Sequence, residues 1–256
     1  MVDVQKWQVP EVVHLLGEHL DHCGAPALSV ATGRTLTVKA RPRDDDTVNV
    51  WVDGERSSLP AAVAASLDDH GIMSGSADVV IESEPAPALD DGLALMIVDT
   101  GVAAPSDRRD ECRQAAEALG LEHLADAGPD AVLKLGSMGS EGESLKARTR
   151  HVITETARVR AATRAIESGA WAQLGTILTA SHASLRDDFE AGCAELDVVA
   201  EAALEAGALG ARMNLVLVPP DRVAAVRALV EQRFDGVGWR RPEARLLPFG
   251  ETTLRH

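Results

Sequence analysis

The segment Val9-Pro10-Glu11-Val12-Val13-His14-Leu15-Leu16-Gly17-Glu18-His19-Leu20-Asp21-His22 decides how this chain is read. The apolar run Val12–Leu16 reads as a strand, and Gly17 ends it in a turn. That turn gathers Glu18, His19 and Asp21 within four residues. Carboxylates accept hydrogen bonds from neighbouring hydroxyls and an imidazole donates or accepts, so the cluster suits a polyol. Spacing alone fits a solvated polar turn equally well. His14, Glu18, His19, Asp21, His22 and Cys23 are all of metal-ligating type, but their spacing matches no standard zinc pattern. No metal is therefore expected, and His14 and His22 are the candidates should there be one.

The rest of the composition bounds the class. The chain has 256 residues, 45% of them apolar, enough for a sizeable core. Aromatic residues make up 3% and Tyr is absent, so the core must be built from Ala, Val, Leu and Ile. The formal net charge is −15. Such a surface repels nucleic-acid backbones and anionic lipid, so neither is an expected partner. No apolar run approaches the roughly 20 residues of a membrane helix. Cys23, Cys112 and Cys193 form no CxxC pair or disulfide framework. A reduced, cytoplasmic protein is expected.

Along the chain, Arg34–Ala40 alternates as a half-buried strand and Val48–Val52 repeats the pattern, which together read as an antiparallel meander. Leu59–His70 has helical spacing and ends at Gly71. Val79–Ile81 and Leu93–Val98 are β-rich, with a proline-rich loop over 83–88 between them. Asp107–Leu119 is a helix ending at Gly120, and Gly136–Gly142 reads as flexible. Leu145–Ser168, Ala170–His182 and Glu195–Ala206 are helices. Arg212–Pro219 is a strand, Asp221–Phe234 a helix and Ala244–Phe249 the final strand. The pattern is α+β, divided near residue 100 into segments 1–100 and 101–256.

The order of residues adds a resemblance. Galactokinases carry Pro-Gly-Arg-x-Asn-Leu-Ile-Gly-Glu-His-Thr-Asp-Tyr near the N-terminus, and Leu15–Asp21 is similar to it. Further stretches resemble the same family in the same order. They are Leu59–Ser83, Gly92–Val102, Arg108–Gly120, Arg148–Val159, Ala180–Leu196 and Gly207–Met213. The resemblance implies a trimmed, two-lobed fold of the GHMP kinase superfamily, with a mixed or antiparallel N-terminal sheet and a helical-plus-sheet C-terminal part. It implies a sugar contact through Glu18, His19 and Asp21. His22, where the family has Tyr, and Asp99 are further ligand-binding candidates.

The departures limit the activity. Val12 stands where the family has an Arg that assists phosphoryl transfer. The serine-rich loop that cradles ATP phosphates at a helix N-terminus is missing after Ser83, together with the aspartate motif behind it. Gly71-Ile72-Met73-Ser74 echoes that motif, with Ser74 in place of Asp. The glycine run expected after Gly210-Ala211-Arg212-Met213 is missing too. Phosphoryl transfer rests on positioning and charge stabilisation, so loss of kinase chemistry is expected and no cofactor is predicted. ATP and magnesium enter only if the kinase reading holds. Two readings stay open. One is a sensor or regulator binding a sugar or sugar-like small molecule. The other is a repurposed enzyme with His19 as acid/base, because imidazole titrates near working pH. Arg150-His151 and Ser181-His182 read as packing or surface residues. Trimming should expose apolar surface, so a homodimer is expected.

Overall fold

The computed structural model describes residues 4–43, 47–56, 76–83, 93–102, 107–250 and 252–255. In chain order they form β1 (Gln5–Leu16), β2 (Ala27–Arg43), β3 (Val48–Val52), β4 (Glu55–Arg56), β5 (Ser76–Ser83) and β6 (Ala94–Asp99). Next come helices α1 (Arg109–Leu119), α2 (Asp130–Gly136), α3 (Ser140–Glu167), α4 (Trp171–Ser184) and α5 (Ala194–Glu205). The chain ends with β7 (Gly210–Arg212), β8 (Leu215–Val218), α6 (Val223–Val237), β9 (Glu243–Pro248) and β10 (Thr252–Arg255). This is the expected α+β class. Among the described residues no helix is long and apolar enough to cross a membrane.

Two compact units divide the chain: Met1–Val13 with Val30–Ala88, and His14–Ser29 with Leu89–His256. The division differs from the expected cut near residue 100. Residues 14–29, which hold the part of the opening motif from His14 to His22, belong with the C-terminal unit.

In the first unit, β2, β5, β3 and β4 lie side by side in that order. β5 runs antiparallel to β2, with Val38 opposite Ile81, and parallel to β3, with Val50 opposite Val79. The expected meander is corrected here, because β5 lies between β2 and β3. Alternation tells which face of a strand is buried, not which strand lies alongside it. On the buried face Val38, Ala40, Val50, Ala77, Val79 and Ile81 pack together. On the opposite face Asp78 accepts from Arg41 at 2.9 Å and from Asn49 Nδ2 at 3.0 Å, so one β5 carboxylate holds both neighbours.

The second unit contains the sheet β7-β8-β6-β9, antiparallel throughout, with Leu95 opposite both Leu217 and Leu247. Against Met96, Val98, Val216 and Val218 pack α5, through Val199 and Ala203, and α6, through Val226, Val230 and Phe234. A second core joins Leu20, Cys112, Ala115, Leu124, Leu135, Val152 and Phe189. Small residues allow backbones to meet closely. A Cβ on Gly175 of α4 would lie 2.0 Å from the Leu209 carbonyl oxygen, and one on Gly210 of β7 would lie 2.2 Å from the Gly175 carbonyl oxygen.

Other expectations are revised as well. Gly136–Gly142 is not a flexible stretch but the junction of α2 and α3, broken only over Ser137–Gly139. Gly142 lies in the first turn of α3, where a Cβ would come 2.1 Å from the Leu135 carbonyl oxygen. Glycine there serves close packing. Arg212–Pro219 is not one strand. Arg212 pairs with Leu215, so Met213 and Asn214 alone turn the chain between β7 and β8. β9 is followed by a further strand, β10. The helix expected over Leu59–His70 and the loop over 84–88 lie outside the described residues.

The glycine contacts give a test. Gly175→Ala should lower stability in urea by about 1–3 kcal/mol, the clash outweighing the ~1 kcal/mol gain in helix propensity. Gly236→Ala, where a Cβ meets nothing within 4 Å, should be neutral or stabilising by up to about 1 kcal/mol. Equal effects at the two positions would contradict the packing of α4 on β7.

Candidate functional site

The opening motif folds as β1, the glycine Gly17, and a 3-10 turn over Glu18–Cys23. Gly17 has φ +83°, and a Cβ there would meet the Pro26 carbonyl oxygen at 2.3 Å, so only glycine fits. The short turn sends successive side chains in different directions. His19 goes inward. Asp21 points to solvent, 85% exposed, and its Oδ1 accepts from the His22 backbone N–H at 2.8 Å. His22 lies beside Cys23 and Cys112. His14 Nδ1 is 2.8 Å from Ser29 Oγ. Asp99, at the exposed end of β6, accepts from the Gly101 N–H at 2.8 Å. His19, His22, His14 and Asp99 thus have separate partners.

Around His19 the structure gathers residues from distant segments. His19 Nε2 is 2.8 Å from His151 Nε2, and both rings pack against Phe189 with centroids 4.9 and 4.7 Å away. His151 Nδ1 is 2.9 Å from Ser184 Oγ, and Ser184 donates to Asp188 Oδ2 at 3.1 Å. The directions follow from the end of the chain. A carboxylate only accepts, so the Ser184 proton goes to Asp188 and Ser184 accepts from His151 Nδ1–H. His151 Nε2 then carries no proton and accepts from His19 Nε2–H. Arg212 lies 3.5 Å from His19 Nδ1 and can only donate. Hydrogen bonds therefore run one way, from Arg212 through His19, His151 and Ser184 to Asp188.

Arg212 is itself 3% exposed and Glu155 is fully buried. Arg212 Nε donates to Ser181 Oγ at 2.9 Å, and Ser181 donates to Glu155 Oε1 at 2.8 Å. Arg158 completes the carboxylate from the next turn of α3, at 2.7 Å. Nearby, Arg148 joins Glu111 of α1, the Asp188 carbonyl and Glu190. Met213 N–H donates to His182 Nδ1 at 3.1 Å, and His182 Nε2 lies 3.1 Å from Asp197 Oδ1. The sequence reading takes His151 and His182 as packing or surface residues and does not single out Glu155 or Arg212. A signal existed. Arg148, Val152, Glu155, Val159 and Ala162 recur on one stripe of α3 and are all 0–2% exposed. Charged residues on an otherwise apolar stripe mark a buried polar network.

Burial holds His151 well below the usual imidazole range, helped by His19, Arg158 and Arg212. Burial also lowers His182, against the pull of Asp197. Elsewhere, the hydrogen bond between Cys23 and Cys112 pushes the Cys23 thiol up and draws Cys112 down to about 7.

No family model matches the chain. Galactokinases do. That of Streptomyces coelicolor is 34% identical over 212 residues, covering 76% of this chain and 54% of the relative. That of Glaesserella parasuis is 30% identical over 198 residues, covering 71% and 50%. Among solved structures, Lactococcus lactis galactokinase complexed with galactose superposes with a TM-score of 0.66 at 19% identity, covering 98% of this chain and 95% of that one. L. major mevalonate kinase in complex with R-mevalonate gives 0.56 at 14% identity, covering 97% and 99%. The fold is therefore that of the GHMP kinases. Within that class the chain is galactokinase-like, and it spans about half the length of the curated relatives it matches.

The neutral histidines set a pH dependence. An unfolded chain protonates His151 and His182 near pH 6.5, whereas the folded one resists. Below about pH 6.5 the unfolded state holds more protons, so stability must fall as pH drops. Each histidine contributes at most ~1.4 kcal/mol per pH unit. Urea midpoints should decline from pH 7.5 to 5.5, and His151→Gln should flatten the slope by about one proton. A slope that rises on acidification, or is unchanged in the variant, would overturn the assignment of a neutral His151.

Proposed function

We propose that this galactokinase-like chain does not transfer phosphate and acts as a sensor or regulator that binds a sugar or sugar-like molecule. One observation carries the first half. Where galactokinases run into glycines after Gly-Ala-Arg-Met, Arg212 pairs directly with Leu215, and Met213 and Asn214 close the hairpin. A loop of two residues has no length to wrap a triphosphate. Val12 in place of the family's Arg and the net charge of −15 point the same way. The second half rests on the Glu18–Asp21 turn and on the similarity to a galactokinase complexed with galactose.

A repurposed enzyme using His19 as acid/base has less support, since His151 and Arg212 engage both nitrogens of its ring. Residual kinase activity on a galactose-like hydroxyl, with ATP and magnesium, would require phosphate contacts from elsewhere. The proposed setting remains the cytoplasm.

Two measurements decide the proposal. Purified protein with galactose, ATP and magnesium should release no ADP above a protein-free blank, and turnover would overturn the pseudokinase reading. Calorimetric titration with galactose and related sugars should show binding that Asp21→Ala weakens by roughly tenfold or more, the worth of a hydrogen bond to a charged group. Absence of binding, or equal binding by the variant, would overturn the sugar reading. The proposed homodimer predicts light scattering at twice the chain mass, and a strictly monomeric profile contradicts it.

A further inference from the structure

The Glu18–Cys23 turn has a second consequence, independent of the sugar reading. It presents His22 and Cys23 side by side, and Gly24, at φ +72°, closes it against the His123 ring. A Cβ on Gly24 would lie 2.8 Å from that ring, which fixes the turn's end. Opposite it, the first turn of α1 presents Cys112. One ligand atom from each of His22, Cys23 and Cys112 falls within 4.8 Å of the other two. Cys23 and Cys112 are 2% and 1% exposed, whereas the His22 side chain is 21% exposed. The cluster forms one wall of a cavity of about 410 Å³, which Arg109, Asp110, Arg113 and Leu124 also line.

We propose that His22, Cys23 and Cys112 form a binding site for a thiophilic divalent cation of the zinc class. The donor set is two sulfurs and an imidazole, the combination that soft and borderline metals prefer over oxygen-seeking ones. Tetrahedral zinc, with Zn–S near 2.3 Å, needs sulfurs roughly 3.8 Å apart. With the three ligand atoms all within 4.8 Å of one another, closing on an ion asks for movements of at most about 1 Å between the sulfurs. Binding releases the two thiol protons to solvent, and the thiolate pair neutralises the cation. The fourth position opens on the cavity, as in three-ligand sites that keep a place for water or another small ligand. Asp21 Oδ1 lies 3.4 Å from His22 Nδ1, a carboxylate placed as those that orient metal-bound imidazoles. The site ties the sugar-like turn to α1, so an ion there would stiffen the segment that carries Glu18, His19 and Asp21.

The test uses the full chain, freed of metal by chelation and kept reduced with a phosphine. Cobalt(II) should add at one equivalent with thiolate-to-metal charge-transfer absorption, and one equivalent of zinc should displace it. Cys23→Ser and Cys112→Ser should each abolish that absorption and weaken zinc binding by at least 100-fold. His22→Ala should weaken binding while keeping part of the band, and Cys193→Ser should change nothing. Should a cysteine variant fail to fold by circular dichroism, alkylation of the wild-type chain decides. Zinc should protect Cys23 and Cys112 but leave Cys193 at its metal-free rate. No charge-transfer band at millimolar cobalt, dependence of the band on Cys193, or zinc protection that omits Cys23 and Cys112 would each overturn the proposal.

Discussion

Arg212 and Glu155 are buried together, and an ion pair removed from water persists only if nearly every lone pair and proton around it is used. The direct separation of 3.7 Å is too long to satisfy the pair alone. Ser181 bridges it, accepting from Arg212 and donating to Glu155, and Arg158 covers the other carboxylate oxygen. Arg212 then has a donor to offer His19. From that point the orientation of each hydrogen bond follows from the one before it. His19 must donate to His151, His151 to Ser184, and Ser184 to Asp188. Strand β7, helices α3 and α4 and the Glu18–Cys23 turn are thereby locked to a single proton arrangement. Protonating His151 would place two donors nose to nose at His19. This is why burial, neighbouring cations and hydrogen-bond direction all require the ring to stay neutral.

The elements that periodicity announced were largely found. Val48–Val52 became β3 to the residue, and the helix ending at Gly120 has that glycine at φ +71°. Local rules succeed there because the information is local. Partner choice is not. Nothing in the alternation of β5 says that it lies between β2 and β3, since its partners, such as Arg41 and Asn49 flanking Asp78, come from other strands. The glycines of 136–142 misled for a related reason. Glycine signals either freedom or a neighbour too close for a Cβ, and only the Leu135 carbonyl beside Gly142 tells which.

The candidate site was legible at one end only. His19, Asp21 and His22 stand out because they are adjacent in sequence. Their partners do not, because Cys112, His151, Ser184 and Arg212 come from segments 90 to almost 200 residues away. One tight turn moreover sends its polar residues to three destinations. His19 enters the buried network, Asp21 faces solvent and His22 faces the cysteines. A polar cluster in sequence is thus not automatically one site in space.

The same network bears on what replaced the family's glycine run. An anion-binding loop works by leaving several successive N–H groups unbonded and aimed at one point. In the hairpin between β7 and β8 the backbone is already engaged. Met213 N–H is held by His182, and the Asn214 carbonyl accepts from Val98 N–H at 2.9 Å. Met213 adopts φ +53°, a conformation that costs a residue with a side chain roughly 1–2 kcal/mol. The arrangement persists because Arg212, one residue earlier, is fixed by Glu155, Ser181 and His19, and His182 holds the turn from beneath. The hairpin is therefore closed by the buried network itself. Creating a phosphate cradle at this point would mean more than lengthening a loop. It would withdraw Met213 from His182 and loosen the strand end that positions Arg212, and so disturb the ordered chain that runs through His19.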